Sequence, residues 1–279
     1  MAKLAIHLLI IDPQNDFCDL PESLCDGHVP ALPVAGAHAD MLRLAALIDA
    51  GGAGLTEISV TLDSHQRLDI AHPTFWVQGD GQEVAPFTPI RAAQVRDGGY
   101  RPRAAKALPR VHAYLQALEA AGRYTHMVWP VHCELGTWGH NVHAALRAAY
   151  NRWEEAGGTG VHKVIKGTHP WTEHYSAIRA EVPDPAVPET LLNEHLLARL
   201  AAADQVLIAG EAGSHCVKAT TEHIVEALGP GRLVLLQDCM SPVGGFEAQY
   251  QDFLQAMAAR GVRIASSGEL LPELQANAG

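Results

Sequence analysis

Positive charge is scarce in this chain: 20 lysines and arginines stand against 31 aspartates and glutamates, a net charge of −11 over 279 residues. Phosphate binding is led by clustered Lys and Arg, and no such cluster occurs, which argues against nucleic acid and anionic membranes as partners. No apolar run approaches the length of a membrane span. The start, Met1-Ala2-Lys3-Leu4-Ala5-Ile6-His7, enters a strand-like run almost at once and leaves no room for a secretory signal, so the expected location is the cytoplasm. Cysteine is sparse as well. Cys18, Cys25, Cys133, Cys216 and Cys239 are odd in number and scattered, which suits free thiols and not a disulfide framework. Internal repeats and low-complexity segments are also lacking.

What is present is a large apolar fraction, 48%, with 18% charged residues, enough for one α/β domain spanning residues 1–279. Continuously apolar runs predict strands covered on both faces at about Ala5–Ile11, Glu57–Leu62, Val161–Ile165, Val206–Ala209, Leu233–Leu236 and Val262–Ala265. Helical patterns alternate with them at about Ala37–Ala50, Asn141–Glu155, Pro188–Ala203, Cys216–Ala227 and Glu247–Arg260. This alternation predicts a three-layer αβα sandwich around a doubly wound, six-stranded, mainly parallel sheet. An insertion at about residues 78–124 interrupts the economy. It carries Arg101, Arg103 and Lys106 and a helical pattern over Ala104–Ala121, and reads as a site cover, a subunit contact or an embellishment. From Ala265 to Gly279 the chain reads as a frayed tail.

Three ionisable residues follow apolar runs and so fall on one rim of a parallel sheet, where ligands bind. Asp12 closes Leu8-Leu9-Ile10-Ile11, Lys166 closes Val164-Ile165, and Cys216 opens a helical stretch shortly after Val206–Ala209. A thiol at a helix N-terminus is favoured as thiolate, a carboxylate beside it can take its proton, and an ammonium can hold that carboxylate. Taken singly, each has a plainer account: a small buried hydrophobe for Cys216, a turn residue for Asp12, a solvated lysine for Lys166. Their coincidence on one rim is what points to chemistry.

Five motifs, Leu9-Ile10-Ile11-Asp12-Pro13-Gln14-Asn15-Asp16-Phe17, Asp63-Ser64-His65, Trp129-Pro130-Val131-His132-Cys133, Val164-Ile165-Lys166-Gly167 and Gly210-Glu211-Ala212-Gly213-Ser214-His215-Cys216-Val217, occur in this order. Together they resemble the nicotinamidase branch of the isochorismatase-like cysteine hydrolases over nearly the whole chain outside the insertion. The resemblance implies the sheet order 3-2-1-4-5-6, Cys216 as nucleophile, Asp12 as general base and Lys166 as third member of a triad. It also implies an oxyanion hole from the backbone N–H groups of Ala212 and Cys216, with a cis peptide before Ala212, and rings around the substrate at Phe17, Trp129 and Tyr175.

Asp63 and His65 lie two apart on an extended chain, so their side chains share a side and can reach one ion. The resemblance adds His132 as a ligand, and His72 as a candidate fourth, although its spacing departs from the family. An Asp and two His suit one borderline divalent ion, zinc ahead of iron or manganese. Most of the 16 histidines are structural by default, among them His140, His143, His162, His169 and His174.

The implied activity is metal-assisted amide hydrolysis, nicotinamide to nicotinate and ammonia through a thioester, by a homo-oligomer acting on a small amide. A related hydrolase of another amide or ureido compound stays open, favoured by the insertion and by Glu211, a charged residue where the family has an apolar one. An isochorismatase proper needs no cysteine, so Cys216 speaks against it. A catalytically silent subunit conflicts with the intact triad.

Overall fold

The structure is a computed structural model that describes residues 3–157 and 159–279. In chain order the strands are β1 (Ile6–Ile11), β2 (Glu57–Asp63), β3 (Trp76–Gln78), β4 (Thr88–Ile90), β5 (Tyr100–Pro102), β6 (His126–Val128), β7 (His162–Lys166), β8 (Gln205–Gly210), β9 (Leu233–Leu236) and β10 (Arg263–Ala265). The helices are α1 (Ala37–Gly51), α2 (Ala92–Arg96), α3 (Leu108–Ala121), α4 (Ala144–Gly157), α5 (Glu194–Ala201), α6 (Cys216–Leu228), α7 (Glu247–Ala259) and α8 (Ser267–Asn277).

Six strands form the central sheet in the order β10-β9-β8-β1-β2-β7, with every neighbouring pair parallel. Counting only these six, the order is 3-2-1-4-5-6, as the family resemblance implies. Every residue of β1 and β9 is buried, which is why their sequences are apolar without alternation. Helix α1 packs with α4 and α8, and α6 packs with α5 and α7. Right-handed crossovers leading in opposite directions from β1 place the two groups on opposite faces.

The strand runs emerge close to their expected bounds, but some other expectations do not. Helix α5 is shorter than the apolar pattern suggests, because Asn193 caps it through Leu196 N–H at 3.0 Å and Pro188–Thr190 makes only a 3-10 turn. The expected frayed tail from Ala265 is instead the end of β10 followed by α8. Ser266 and Glu269 form a reciprocal capping box, and Leu270 and Leu274 are fully buried. The partner surface is shaped for α8: a Cβ on Gly54 would lie 2.0 Å from the Leu274 carbonyl oxygen.

The segment expected as an insertion, about 78–124, carries regular structure of its own. Strand β3 pairs antiparallel with β5, and β4 with β6. Around them a second core gathers Ile70, Trp76, Ile90, Val111, Leu115 and Val128. Arg101, Arg103 and Lys106 are exposed on its outside.

Several buried histidines make the fold sensitive to acid. Burial is the main force pushing His7, His126 and His143 each down to about 4. Above pH 6.5 these rings are neutral whether folded or not. As pH falls from 6.5 towards 4 the unfolded chain binds protons that the folded chain refuses, at a cost on the order of 1–2 kcal/mol per ring by pH 5. Glu173 and Glu181, pushed up to about 7 by burial, take up protons in the folded state over the same range and oppose this loss. The histidine contribution is therefore read as the difference in urea midpoint between the parent and a His126→Gln variant, expected to shift in favour of the variant from pH 7 to pH 5; a difference that stays constant would contradict it.

Candidate active site

Strand register assembles the site at the carboxyl rim of the sheet. Ile11 lies opposite Gly210, and Asp63 lies opposite Lys166, so the residues following β1 and β8 and those ending β2 and β7 meet. Lys166 Nζ is 2.9 Å from Asp12 Oδ2 and 2.9 Å from Asp63 Oδ1. It donates to the His174 carbonyl at 2.8 Å and stands 3.7 Å from Cys216 Sγ. Thr61 Oγ1 donates to Asp12 Oδ1 at 2.5 Å, while Asp12 N–H donates back to the same hydroxyl at 3.0 Å. The three side chains are almost wholly buried: Asp12 0%, Lys166 3% and Cys216 5% exposed.

Such burial decides the charges. Burial pushes the Asp12 carboxyl above its ordinary range, against the pull of Lys166. Burial also works against the Lys166 ammonium, but Asp12, Asp63 and Cys216 outweigh it and hold its pKa well above the usual lysine range. The Cys216 thiol is driven well up by burial, with Lys166 opposing and Asp12 and Asp63 assisting. The expectation of a resting thiolate at the start of α6 is therefore corrected. A helix terminus contributes on the order of 0.3–2 kcal/mol, less than desolvation in the company of two carboxylates.

A second group of side chains lies beside the first. His65 follows Asp63, and its backbone is pinned to the segment after β6 by His65 N–H to Cys133 carbonyl at 3.0 Å and Leu135 N–H to His65 carbonyl at 3.1 Å. Trp129 N–H to Ala71 carbonyl, at 2.7 Å, brings His72 to the same place. Candidate ligand atoms of His65, His72 and His132 all lie within 4.8 Å of one another. Asp63 Oδ2 is 3.0 Å from His65 Nε2 and 3.4 Å from His132 Nε2.

This donor set fits a divalent ion. Asp69 Oδ2 takes the Nδ1 side of His65 at 3.1 Å and the Pro130 carbonyl takes the Nδ1 side of His132 at 2.9 Å, leaving both Nε2 atoms for an ion. His72 is fully buried, and among the described residues its Nδ1 finds no side-chain partner. Burial and then the neighbouring His132 and His65 push it down to about 2, so it stays a neutral lone-pair donor. Three imidazoles with one carboxylate suit zinc or a similar borderline metal.

Phe17, Trp129 and Tyr175 lie among neighbouring rings. Phe17 meets the His132 ring edge-on at 5.4 Å, and Trp129 Nε1 donates to the Tyr175 hydroxyl at 3.1 Å. Sequence reasoning missed four further rings. Tyr124 is 4.7 Å from Tyr175, His215 is 5.1 Å from Trp129 and 4.7 Å from Phe246, and the exposed Phe87 of the insertion is 5.9 Å from Trp129. His215, adjacent to Cys216, is the only one of these that chain position alone marks out. Also missed was Gln14, whose amide clamps β1 to β2: its Nε2 donates to the Asp63 carbonyl at 2.8 Å and its Oε1 accepts from Asp63 N–H at 2.7 Å.

The turn before α6 contains a cis peptide between Glu211 and Ala212. The N–H groups of His215 and Val217 bond the Ala212 carbonyl, each at 3.1 Å. Among the described residues no protein group accepts from the N–H of Ala212 or of Cys216.

No family model and no curated protein matches the sequence. Solved structures do resemble the fold. A nicotinamidase/pyrazinamidase from Acinetobacter baumanii is 19% identical, with 96% of this chain and 98% of that one covered and a TM-score of 0.62. A pyrazinamidase from Pyrococcus horikoshii in complex with zinc is 18% identical, with 94% and 98% covered and a TM-score of 0.52. An isochorismatase-like hydrolase from Alkaliphilus metalliredigens is 14% identical, with 96% and 98% covered and a TM-score of 0.53. With the parallel sheet, its strand order and its flanking helices already seen, the chain has the α/β fold of the isochorismatase-like hydrolases, the fold that nicotinamidases share.

Proposed function

We propose that the protein is a metal-assisted cysteine amidohydrolase that converts a pyridine carboxamide such as nicotinamide to the carboxylate and ammonia. The observation that carries this reading is the meeting of Asp12, Lys166 and Cys216 beside the imidazoles of His65, His72 and His132. Asp12 takes the proton of the buried Cys216 thiol as the sulfur attacks the carboxamide carbon, so charge passes to the substrate oxygen and no free thiolate is needed at rest. That oxygen is met by the Ala212 and Cys216 N–H groups, donors worth roughly 3–4 kcal/mol of barrier each. Asp12 then gives its proton to the departing ammonia, leaving a thioester on Cys216. Water attacks the thioester with Asp12 again taking the proton, and the thiol is restored. Lys166 holds Asp12 through the cycle.

Asp63, His65, His72 and His132 would hold the ion, which when bound offers a docking point for a ring nitrogen and so aligns the amide with the sulfur. Zinc is supported by the nitrogen-rich donor set and by the zinc reported with the similar pyrazinamidase. Phe17, Trp129 and Tyr175 would wall the ring.

An ammonia-release screen over nicotinamide, pyrazinamide, maleamate and ureido compounds, before and after chelation, tests this reading. Nicotinamide and pyrazinamide are expected to be turned over by the metal-loaded protein. Chelation should cost more than about tenfold in that turnover, while alkylation of Cys216 changes by less than about twofold, because the ion is not what activates the sulfur. Full activity in metal-free protein would point to an aliphatic or ureido amide instead.

A further inference from the structure

Glu211 is a carboxyl group for which the proposed chemistry has no use, yet it is 0% exposed and immediately precedes Ala212. A second buried acid, Asp40 of α1, lies against it. Ser241 joins the two: its N–H donates to Glu211 Oε2 at 3.2 Å and its hydroxyl donates to Asp40 Oδ2 at 2.5 Å. Arg43 is ion-paired with Asp40 through Oδ1 and donates to the Asp238 carbonyl at 2.5 Å. The remaining titratable groups around the pair are Asp19 and Cys18 before α1, Asp238 and Cys239 after β9, and Tyr250 on α7, none of them a cation.

Two buried carboxylates whose one guanidinium, Arg43, is paired with Asp40 carry a net charge that burial makes costly, and one shared proton removes it. The atom that would carry this proton is evident, since Glu211 Oε1 is buried without a partner among the donors of the described residues. A protonated carboxyl donates instead of accepting, and the Asp40 side chain, which is within hydrogen-bond reach of the Glu211 side chain, is the acceptor. The electrostatics agree: burial first, then Asp40, pushes the Glu211 carboxyl well above the usual glutamate range. The same turn is tied to the segment after β9 by Gly210 N–H to Cys239 carbonyl at 2.9 Å and Gly213 N–H to Ser241 carbonyl at 2.8 Å. Gly36, at φ +99°, lets α1 approach, since a Cβ there would lie 2.9 Å from the Ser241 hydroxyl.

We propose that Glu211 is a positioning residue: as a neutral acid it donates to the Asp40 carboxylate and straps the turn carrying Ala212 to α1, keeping the Ala212 and Cys216 N–H groups aimed at the reacting oxygen. This rests on the cysteine chemistry proposed above. Raising the pH far enough to ionise Glu211 places two like charges in one buried site beside Arg43, loosens the strap and lowers kcat.

The infrared difference between the metal-loaded parent and its Glu211→Gln variant should contain the carbonyl stretch of one buried protonated carboxylic acid, over a background that Asp12, Glu173 and Glu181, themselves pushed up by burial, leave in both spectra. Glu211→Gln keeps a donor towards Asp40, so its kcat at neutral pH stays within about threefold and persists to a higher pH than in the unsubstituted protein. Glu211→Ala should lower kcat by about 10- to 100-fold with KM within about twofold, the effect of misaimed oxyanion donors. If the alanine variant does not fold, the infrared band and the pH profile of Glu211→Gln decide. An absent band, or a Glu211→Gln variant whose alkaline limb coincides with that of the unsubstituted protein, overturns the proposal. Failure of the unsubstituted protein to hydrolyse any amide overturns the cysteine chemistry and the positioning role together, while the infrared band still reports the shared proton separately.

Discussion

Cys216→Ala is expected to yield a folded protein whose ammonia release falls by at least about four orders of magnitude. The sulfur is the atom to which the acyl group must transfer, and no other thiol substitutes. Cys133 is fully buried, and among the described residues its sulfur makes no hydrogen bond to Lys166 of the kind Cys216 makes at 3.7 Å. Removing one sulfur from a packed site costs about 1 kcal/mol of stability, so circular dichroism and the urea midpoint should change little. Cys216→Ser should lose nearly as much turnover, because Asp12 cannot readily take a proton from an alcohol. Turnover by the alanine variant near that of the parent would remove Cys216 from the reaction.

Lys166→Met should be costly in both stability and activity. The ammonium is the cation 2.9 Å from both Asp12 and Asp63. Without it two buried carboxylates lose their common partner, and breaking such a buried network costs about 3–5 kcal/mol. Methionine keeps most of the volume, so the loss would report charge and hydrogen bonds and not a cavity. Asp12, already pushed up by burial, loses the main force that pulls it down. It then holds a proton and cannot take one from Cys216, so turnover at neutral pH is expected to fall at least about 100-fold. Urea titration and ammonia release read the two effects separately; unchanged values in both would show that Lys166 is peripheral.

Much of the central sheet was legible because β1, β8 and β9 are buried on both faces and mostly apolar, whereas the expectation of two-sided burial fails at the edge strands β7 and β10, where Lys163, Ile165 and Arg263 are exposed. The logic of an apolar run closed by a polar residue marks Asp12, Asp63 and Lys166, and a short turn after β8 marks Cys216. It does not reach β3 to β6, which are three residues each, include Pro89 and Pro102, and owe their pairing to tertiary contacts. Helix α8 carried a readable signal in Ser266 and Glu269, hidden by Gly268 and Pro272. Asp69, Tyr124 and Phe87 come to the site only through pairings such as Trp129 N–H to Ala71 carbonyl, which no local pattern announces; His72, brought by the same pairing, was named only through the family resemblance. The resting charge of Cys216 could not be read from chain position at all, since it depends on how completely the sulfur and two carboxylates leave water.

The most direct test of the account is to quench the protein in acid during turnover of nicotinamide and measure the intact and peptide masses. The account predicts a nicotinoyl adduct that maps to Cys216, forms faster than the steady state and disappears as substrate is exhausted. Turnover with no adduct, after quenching fast enough to catch the first cycle, or an adduct on any other residue, would contradict it.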